Sequence, residues 1–301
     1  MRCHREVVAA ACAALVLAPA PQAAAQEGME DVRIRATHVA GNVYMLQGRG
    51  GNIGVSAGED GVLLVDDQFA PLAPKIRAAV DSLAGDGVRY VLNTHWHHDH
   101  TDGNKVFGRE APVVAHRNVR LRLASPQVSG SDTTPALPED ALPEITFGES
   151  VSIHFNGEEI RVEHFPRGHT DGDAVVFFPE SGVVHMGDHM FARRFPFVDL
   201  GSGGSVQGYT RNVKAVLDSL PDGAAVIPGH GELTDVQGLR SFHAMLVETT
   251  GIVRRRMEEG MSLREVKDAG LSAKWTSWGQ GFISTPRWLE TVYRSLSREG
   301  S

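Results

Sequence analysis

The first half of the chain contains short runs of β-branched and apolar residues separated by glycine turns, a pattern typical of strands. Strands are predicted at RIRATHV (33–39), NVYMLQ (42–47), NIGVSA (52–57), GVLLVDD (61–67) and RYVLNT (89–94). Between the last two, apolar residues recur at helical spacing and predict one helix, which Gly85 and Gly87 should end. They are Leu72, Ile76, Val80 and Leu83.

The second half repeats this alternation of strands and helices. Strands are predicted at VSIHF (151–155), IRVEHF (160–165), AVVFF (174–178), GVVHMG (182–187) and AAVIP (224–228). Helices are predicted at NVKAVLDSL (212–220), at the amphipathic stretch from Leu239 to Met257 and at TPRWLETVYRSL (285–296). Two halves of this kind predict an α/β fold in which two sheets pack face to face with helices outside.

The amino terminus has the three parts of an export signal. Arg2 and Arg5 form a basic start, residues 7–17 are apolar, and three alanines at 23–25 provide a small-residue cleavage site. We therefore expect a signal peptide over residues 1–25, a mature catalytic domain over 26–301, and a periplasmic or secreted location. No later segment reaches the roughly 20 apolar residues of a membrane helix, so we expect no stable membrane insertion after cleavage.

The net charge limits the possible binding partners, and the cysteine content limits the side chains that could bind a metal. The formal net charge is −8, and loss of Arg2, Arg5 and Glu6 with the signal would make it −9. An acidic chain of this kind has no electrostatic footprint for nucleic acid. Both cysteines, Cys3 and Cys12, lie in the signal region, so any metal in the mature chain must be held by nitrogen and oxygen.

One connector, residues 124–150, is unusually long and rich in proline and polar residues. Long loops within domains are often functional. A structureless surface loop explains this composition equally well, and both interpretations remain open.

The stretch THWHHDHTDGN (94–104) contains four histidines and two aspartates directly after a predicted strand. A core gains nothing from packing imidazoles side by side, because each needs a hydrogen-bond partner or water. His95 and His97 are two residues apart and point the same way in an extended segment. Asp99 and His100 follow where the chain turns toward a helix. The stretch therefore predicts a metal site that can serve two neighbouring ions.

Three further candidate ligands lie at the ends of other predicted strands. His169 follows RVEHF in GHTDGD, Asp188 follows GVVHMG, and His230 follows AAVIP in PGHGE. Strand ends are where open α/β sheets place their chemistry. We expect these side chains to converge with the histidine cluster on one active-site edge.

This ordered set of motifs resembles the metallo-β-lactamase fold superfamily of hydrolases. The resemblance covers residues 66 to 230 and implies a four-layer αββα sandwich with a dinuclear zinc site between the two sheet edges. Its carrying residues are Asp66 in LLVDD, His95, His97, Asp99 and His100 in HWHHDH, His169 in GHT, Asp188 in GDHMF and His230 in PGHG.

Carried over by position, the resemblance implies a role for each residue. His95, His97 and His169 would hold the first zinc, and Asp99, His100 and His230 would hold the second. Asp188 would bridge both ions, and Asp66 would orient a metal-bound histidine. An aspartate at 188 is usual in glyoxalase II-like thioesterases and lactonases, whereas classical lactamases have cysteine or serine there.

The chemistry implied is hydrolysis of a small-molecule carbonyl compound. Two zinc ions would lower the pKa of a shared water toward about 7, and the resulting metal-bound hydroxide would attack an ester, lactone, thioester or β-lactam. Asp99 would also aim the nucleophile as a catalytic residue. Asp173 is expected to brace the His169 loop. A possible substrate rim comprises His189, Arg193, Arg194 and the glycine-rich stretch FVDLGSGGSVQGY (197–209), with arginine pairing to carboxylates. A structural role for His189 explains its place beside Asp188 equally well. His98 and Trp96 are expected to face away from the metals.

Two alternative functions remain. Persulfide dioxygenase-like relatives of the same fold use equivalents of His95, His97, His169 and Asp188 for one iron, so a mononuclear iron oxidoreductase is possible. The complete second site disfavours it. A non-catalytic zinc-binding protein is the other alternative, although zinc storage needs no bridging aspartate.

Overall fold

Residues 28–85, 87–129 and 132–299 are described by a computed structural model. The signal peptide predicted over residues 1–25 lies outside these ranges, so it and the domain boundary at residue 26 stay predictions. From Val32 onward the described chain forms one compact unit.

The described residues form strands throughout the first two thirds of the chain. In chain order they are β1 Arg35–Ala40, β2 Val43–Gln47, β3 Ile53–Gly58, β4 Gly61–Val65, β5 Val88–Asn93, β6 Val113–His116, β7 Gln127–Ser129, β8 Asp132–Thr134, β9 Ile145–Phe147, β10 Ser150–Phe155, β11 Glu158–His164, β12 Ala174–Phe178, β13 Val183–His185, β14 Ala225–Ile227 and β15 Thr234–Asp235.

Helices follow the strands of each half and dominate the carboxyl-terminal third. They are α1 Ala73–Asp81, α2 His98–Thr101, α3 Asn104–Phe107, α4 Arg117–Leu123, α5 Val206–Ser219, α6 Val236–Glu258, α7 Leu263–Ala269 and α8 Thr285–Glu299. Short 3-10 helices lie at Ala70–Leu72, Glu139–Ala141, Gly187–His189, Leu200–Ser202 and Ala273–Gln280. Among the residues that the structure describes, no helix combines the length and apolar character needed to cross a bilayer.

The strands build two mixed sheets, one from each half. The first has the order β1-β2-β3-β4-β5-β6-β9, antiparallel as far as β4 and parallel from β4 to β9. The second has the order β10-β11-β12-β13-β14-β15, with β13 and β14 parallel and the other pairs antiparallel. With helices on both outer faces, the fold is the four-layer αββα sandwich, as predicted.

Strand periodicity explains how the sheets face each other. In β11, Ile160 and Val162 are buried while the intervening Arg161 is exposed. Because side chains alternate across a strand, this places one apolar row against the first sheet, where Leu63 and Val65 meet it. All five residues of β4 are buried, as expected for a strand covered on both faces.

The outer face of the second sheet is covered by the carboxyl-terminal helices. Phe177 and Val184 pack in one buried cluster with residues of α5, α6 and α8, including Val213, Phe242 and Trp288. Each of α5 and α6 begins at a polar cap, since Ser205 accepts from the Gly208 amide and Asp235 from the Gly238 amide. The helix predicted at 212–220 therefore starts earlier, at Val206.

The connector over 124–150 contains regular structure. It includes the β7–β8 hairpin, and Ile145–Phe147 is the edge strand that pairs in parallel with β6. A structureless surface loop is therefore the wrong interpretation of its carboxyl-terminal part. The strand β9 could not be predicted from this polar, proline-rich sequence, because three residues are too few to show an alternation of apolar and polar positions.

Two stacked histidines join the sheets away from the metal-ligand candidates. The rings of His116, at the end of β6, and His164, at the end of β11, stack with centroids 3.8 Å apart and planes 9° apart. Burial, together with the neighbouring His164 and Arg117, lowers the pKa of His116 to about 4. The folded chain therefore favours the neutral ring.

This stack predicts a loss of stability in mild acid. Because the folded-state pKa of His116 lies below the unfolded value near 6.5, its contribution is complete above that value and is lost as pH falls toward 4. Between pH 7 and 5 these two pKa values correspond to about 2 kcal/mol of unfolding free energy, which solvent screening reduces. The free energy of unfolding should therefore fall by about 1 to 2 kcal/mol more in the wild type than in His116→Asn. Urea titrations at both pH values measure this, with His154→Asn on an exposed strand position as control. Equal losses in the wild type and His116→Asn would contradict the assignment.

Candidate metal centre

The candidate metal ligands meet where strands of both sheets end. His95 and His97 directly follow β5, and the short helix α2 carries Asp99 and His100. His169 lies in the turn between β11 and β12, and the other two ligands follow β13 and β14. The seven side chains form two groups, each with donor atoms within 4.8 Å of one another. The groups are His95, His97, His169 and Asp188, and Asp99, His100 and His230.

Within the first group the imidazoles point their ring nitrogens at one another. Nε2 of His169 lies 2.8 Å from Nδ1 of His97 and 3.4 Å from Oδ2 of Asp188. Nε2 of His95 lies 3.7 Å from the same carboxylate oxygen. The second group is as tight, because Nε2 of His230 lies 3.3 Å from Nε2 of His100 and 3.4 Å from Oδ2 of Asp99.

Asp188 lies between the groups and divides its two oxygens between them. Oδ2 faces the first group, while Oδ1 lies 3.2 Å from Nε2 of His100 and 3.3 Å from Nε2 of His230. Gly229 allows this approach, since a Cβ there would lie 2.2 Å from Oδ1 of Asp188. The Tyr209 hydroxyl donates to the Asp188 backbone carbonyl at 2.6 Å and holds the turn in place.

Hydrogen bonds from the far side of the rings set which nitrogen faces the centre. His100 donates from Nδ1 to Oδ2 of Asp66 at 2.7 Å, and His169 donates from Nδ1 to the Phe197 carbonyl at 2.8 Å. His97 donates from Nε2 to Oδ2 of Asp199 at 3.2 Å. In each case the other ring nitrogen is left as a lone-pair donor directed inward, which is the arrangement that metal-bound histidines need.

His95 is oriented by a relay through Thr94. The Thr94 hydroxyl donates to Oδ2 of Asp66 at 2.7 Å and lies 3.1 Å from Nδ1 of His95, whose N–H it accepts. Asp66 thus orients two histidines, one directly and one through Thr94.

Burial and mutual charge determine the protonation of the centre. Burial lowers the pKa of His95 well below its usual value, and the neighbouring His100 adds to the shift. Burial also lowers the pKa of His169 to about 4. By itself burial raises the pKa of Asp188, but the surrounding imidazoles outweigh it and hold that pKa well below the ordinary value. Burial thus favours the neutral form of His95 and His169. Burial alone would also lower the pKa of His100, but Asp188, Asp99 and Asp66 outweigh it and raise that pKa well above its usual value. A metal ion binds neutral imidazoles and ionised carboxylates, so binding at the second group would displace the proton of His100.

Unsatisfied buried atoms indicate that cations belong here. Nε2 of His95 and Oδ1 of Asp188 are buried and have no hydrogen-bond partner among the described residues. Such atoms are costly unless something binds them. Gly51 leaves the space, because a Cβ there would lie 2.1 Å from the His100 ring. Imidazole and carboxylate donors without thiolate fit divalent ions such as zinc.

The other residues that the sequence singled out have different positions. Asp173 accepts from the Thr170 amide at 2.8 Å and so braces the turn that carries His169. His98 contacts Oδ1 of Asp102 at 2.9 Å, and Trp96 packs beside His97 with ring centroids 4.5 Å apart.

The residues predicted to form a substrate rim take different positions in the structure. Arg194 lines the cavity at the metal-ligand groups, and Arg193 is exposed but does not line it. His189 does not reach the cavity and is buried, with Nε2 3.1 Å from the Asn212 side-chain nitrogen. Of the two interpretations of His189, the structure favours the structural one, because its ring is buried in the core beside Asn212.

The contact of Asp199 with His97 was not predicted, because the sequence placed its stretch only at the substrate rim. Asp199 lies in the stretch FVDLGSGG, 102 residues from the histidine it contacts, and also caps the 3-10 helix at Leu200–Ser202. Its partners His97 and Ser202 outweigh the effect of burial and hold its pKa far below the usual range. The only local signal is an aspartate before a glycine-rich turn, which is a common cap.

A cavity of about 530 Å³ opens onto the two groups. His97, Asp99, Asp188 and His230 form its polar end. Half of the remaining lining residues are phenylalanine or tryptophan, and the polar ones are Arg49, His98, Thr134, Arg194 and Asp199. Small-molecule sites have this character, with a few convergent polar groups in a mostly apolar cleft of comparable volume.

The position of Asp66 predicts a selective effect on metal affinity. Asp66→Ala removes the acceptor of the His100 N–H and should weaken binding of a divalent ion at the second group by about 10- to 100-fold. Calorimetric titration of the metal-free protein with Zn²⁺ measures this, with Asp81→Ala on the exposed end of α1 as control. Circular dichroism checks folding, because Thr94 also loses its acceptor. Unchanged affinity in a folded Asp66→Ala variant would contradict the role given to Asp66.

Comparisons with known proteins agree with this geometry. Residues 37–230 match the family model of the metallo-beta-lactamase superfamily, a range that includes all seven candidate ligands. The Pontibacter korlensis metallo-beta-lactamase superposes on 71% of this chain and 99% of its own, with TM-score 0.58 and 18% identity. The DIM-1 metallo-beta-lactamase superposes on 72% of this chain and 99% of its own, with TM-score 0.59 and 20% identity. At these identities the structures establish the fold.

Curated relatives are similar over shorter stretches. A hydroxyacylglutathione hydrolase of Synechococcus is 32% identical over 165 residues, which cover 52% of this chain and 56% of the relative. The beta-lactamase-like protein 2 homolog of Drosophila melanogaster is 26% identical over 200 residues, covering 64% and 59%. The chain thus spans less than two thirds of the length of these relatives. By its fold, by the order of its ligand motifs and by the match of most of its length, this chain belongs to the metallo-beta-lactamase superfamily.

Proposed function

We propose that this chain is an exported hydrolase with two divalent cations, zinc ions, acting on the carbonyl carbon of an ester, thioester, lactone or β-lactam. The observation that carries the proposal is the division of Asp188 between two donor groups at the polar end of one cavity. A carboxylate in this position can bind two cations at once. Storage of a single ion requires no such arrangement.

The two cations would supply an acidified water and a Lewis acid for the substrate oxygen. The protein's own groups then position the reactants. Asp99 is one third exposed at the cavity wall, so its free lone pairs can accept a hydrogen bond from the attacking water. Asp188 is nearly buried and ionised, so it keeps its negative charge between the donor groups at neutral pH.

The chemical class of the substrate has support from two directions. Several curated relatives are hydroxyacylglutathione hydrolases, which favours a thioester. The solved structures of similar fold are metallo-beta-lactamases, which favours a β-lactam. The aspartate at 188 favours the ester and thioester group, and export favours the β-lactam.

Metal analysis and a substrate panel test the proposal together. Two zinc ions per chain by mass spectrometry, with turnover of nitrocefin, a lactone or a glutathione thioester, would support it. His230→Ala should lose one ion and most turnover, whereas His154→Ala, on an exposed strand position, should lose neither. One iron per chain with no hydrolysis would overturn the proposal in favour of the mononuclear oxidoreductase. Zinc without turnover would favour the non-catalytic protein.

Export is a separate proposal with its own test. It rests on the composition of residues 1–25. Expression of the full chain and of a chain lacking these residues, followed by fractionation, should place only the first outside the cytoplasm. Retention of the full chain in the cytoplasm would contradict it.

A further inference from the structure

The wall of the cavity at the metal centre is rich in phenylalanine and also carries Arg49 and Arg194. Five of the twelve phenylalanines of the chain line it. They are Phe69, Phe191, Phe195, Phe197 and Phe282. They come from three separate segments, before α1, after β13 and before α8. Catalysis by metal ions and carboxylates does not require this wall, so it points to the part of the substrate that is not cleaved.

Phe282 differs from the other four in its exposure. Its side chain is 74% exposed, the highest value among the large apolar residues that the structure describes as exposed. A single exposed phenylalanine on a surface is ordinary. This one lies at the wall of the candidate active site, where a bound molecule would cover it.

Neighbouring contacts hold the segment of Phe282 against the cavity. The Phe195 amide donates to the Trp278 carbonyl at 3.1 Å, which ties the loop after β13 to the 3-10 helix at Ala273–Gln280. The aliphatic stem of Arg194 packs at Gly281, where an added Cβ would lie 3.3 Å from the Arg194 Cβ. The segment therefore has a defined position without any ligand.

Arg287 fixes the ring itself. Its guanidinium carbon lies 5.2 Å from the centroid of Phe282 and 5.8 Å from that of Phe197. The two rings meet edge to face with centroids 6.5 Å apart. A guanidinium over aromatic faces within about 6 Å is attractive. Phe282 is thus held in place while most of its surface stays in water, and covering that surface is favourable.

We propose that Phe282, held by Arg287 beside Phe197, is a specificity-determining residue that packs against an uncharged, apolar acyl group of the substrate. The inference rests on the proposed hydrolase function and narrows its substrate class. The acyl group would lie along the phenylalanine wall while its carbonyl faces Asp99 and the two donor groups. Small or charged acyl groups would leave Phe282 in water.

Binding of two hydroxamic acids tests the pocket without requiring turnover. Acetohydroxamic and octanohydroxamic acid share a metal-chelating head and differ in the length of the apolar chain. In calorimetric titrations of the zinc-loaded full chain, the longer compound should bind at least about tenfold more tightly. Phe282→Ala should remove most of this preference and leave acetohydroxamic acid affinity unchanged. Phe282→Leu should retain most of it.

The control is Leu121→Ala, which truncates another exposed apolar side chain, 66% exposed on α4. It should leave both affinities unchanged. Because Phe282 is exposed, its truncation should not alter the thermal midpoint appreciably. Equal affinities in the wild type, or the same preference in Phe282→Ala, would overturn the inference. A further probe is the eight-carbon hydroxamic acid with a carboxylate at the end of its chain. If it binds more tightly than octanohydroxamic acid, the inference is overturned in favour of an anion site at Arg194.

A hydrolysis series separates this inference from the function on which it rests. Thioesters with one common thiol and acyl chains of two to eight carbons should show kcat/KM rising with chain length, and Phe282→Ala should flatten the rise. Turnover that is independent of chain length would overturn the inference and leave the hydrolase intact. The opposite outcome is also distinguishable. If the protein binds octanohydroxamic acid more tightly than acetohydroxamic acid but turns over no ester, thioester, lactone or β-lactam, the proposed hydrolase function is contradicted and the apolar binding site is supported.

Discussion

Replacement of Asp188 by alanine should reduce kcat/KM for whichever substrate is turned over by a factor on the order of 10³ or more. The carboxylate is 5% exposed and directs one oxygen to each donor group. Its loss would remove a ligand from both proposed cations and the carboxylate charge that lies among four imidazoles. Those imidazoles belong to His95, His100, His169 and His230.

Two further variants separate charge from shape. Asp188→Asn keeps an oxygen and the side-chain volume but loses the charge, so it should retain more metal than alanine and less activity than the wild type. Asp222→Ala, at a side chain that is 96% exposed, should behave as the wild type. The readouts are metal content, kinetics and circular dichroism. Two bound ions and turnover within about tenfold of the wild type in Asp188→Ala would contradict the bridging role.

Removal of metal should cost the folded chain about 4 kcal/mol of unfolding free energy when the free ion is at 1,000 times its dissociation constant. The physical reason is the set of buried donors that only a cation can satisfy, Nε2 of His95 and Oδ1 of Asp188 among them. Urea titrations of the zinc-loaded protein and of the same protein dialysed against a chelator measure the difference. Restoring zinc should restore the midpoint.

A matched variant keeps this stability test specific. His230→Ala lacks one ligand of the second group, so metal binding should stabilise its folded state less. Its unfolding free energy should therefore fall less on chelation than that of the wild type. Asp222→Ala should lose the same amount as the wild type. Identical midpoints with and without the chelator, in a preparation that contains two ions, would show that the ions do not bind preferentially to the folded state.

Local patterns were sufficient for most of the fold. Alternation in β11 and the buried run in β4 predict strands because side chains alternate across a sheet. Helix starts were predicted less well. The first six residues of α5 were missed, although Val206 and Tyr209 continue the helical spacing of Val213 and Val216, because the intervening Gly208 is a poor helix former. The helix α7 was also missed, although Ser262 and Glu265 form a capping box that a search for that motif would have found.

The sequence was sufficient to predict which segments of the chain meet at the candidate site. His95 and His97 follow a buried strand, and His169, Asp188 and His230 follow others, so shared strand ends were enough to propose their convergence. Their individual roles as ligands stay predictions that the metal and mutational experiments address. The sequence left two interpretations of His189 open, because the direction of one side chain in a 3-10 turn depends on what packs behind it.

The sequence by itself determined the α/β class, most of the long strands and the strand ends that carry chemistry, because these depend on periodicity and turn residues within a few positions. It did not predict short strands such as β6, β9 and β15 or the order of strands within each sheet. Only the tertiary structure decided that Asp188 divides its oxygens between two groups, that Asp199 holds His97, and that Phe282 lies at the cavity wall. Each of these contacts joins segments distant along the chain. Their geometry is set by how the two sheets and the carboxyl-terminal helices pack, and no local pattern encodes that packing.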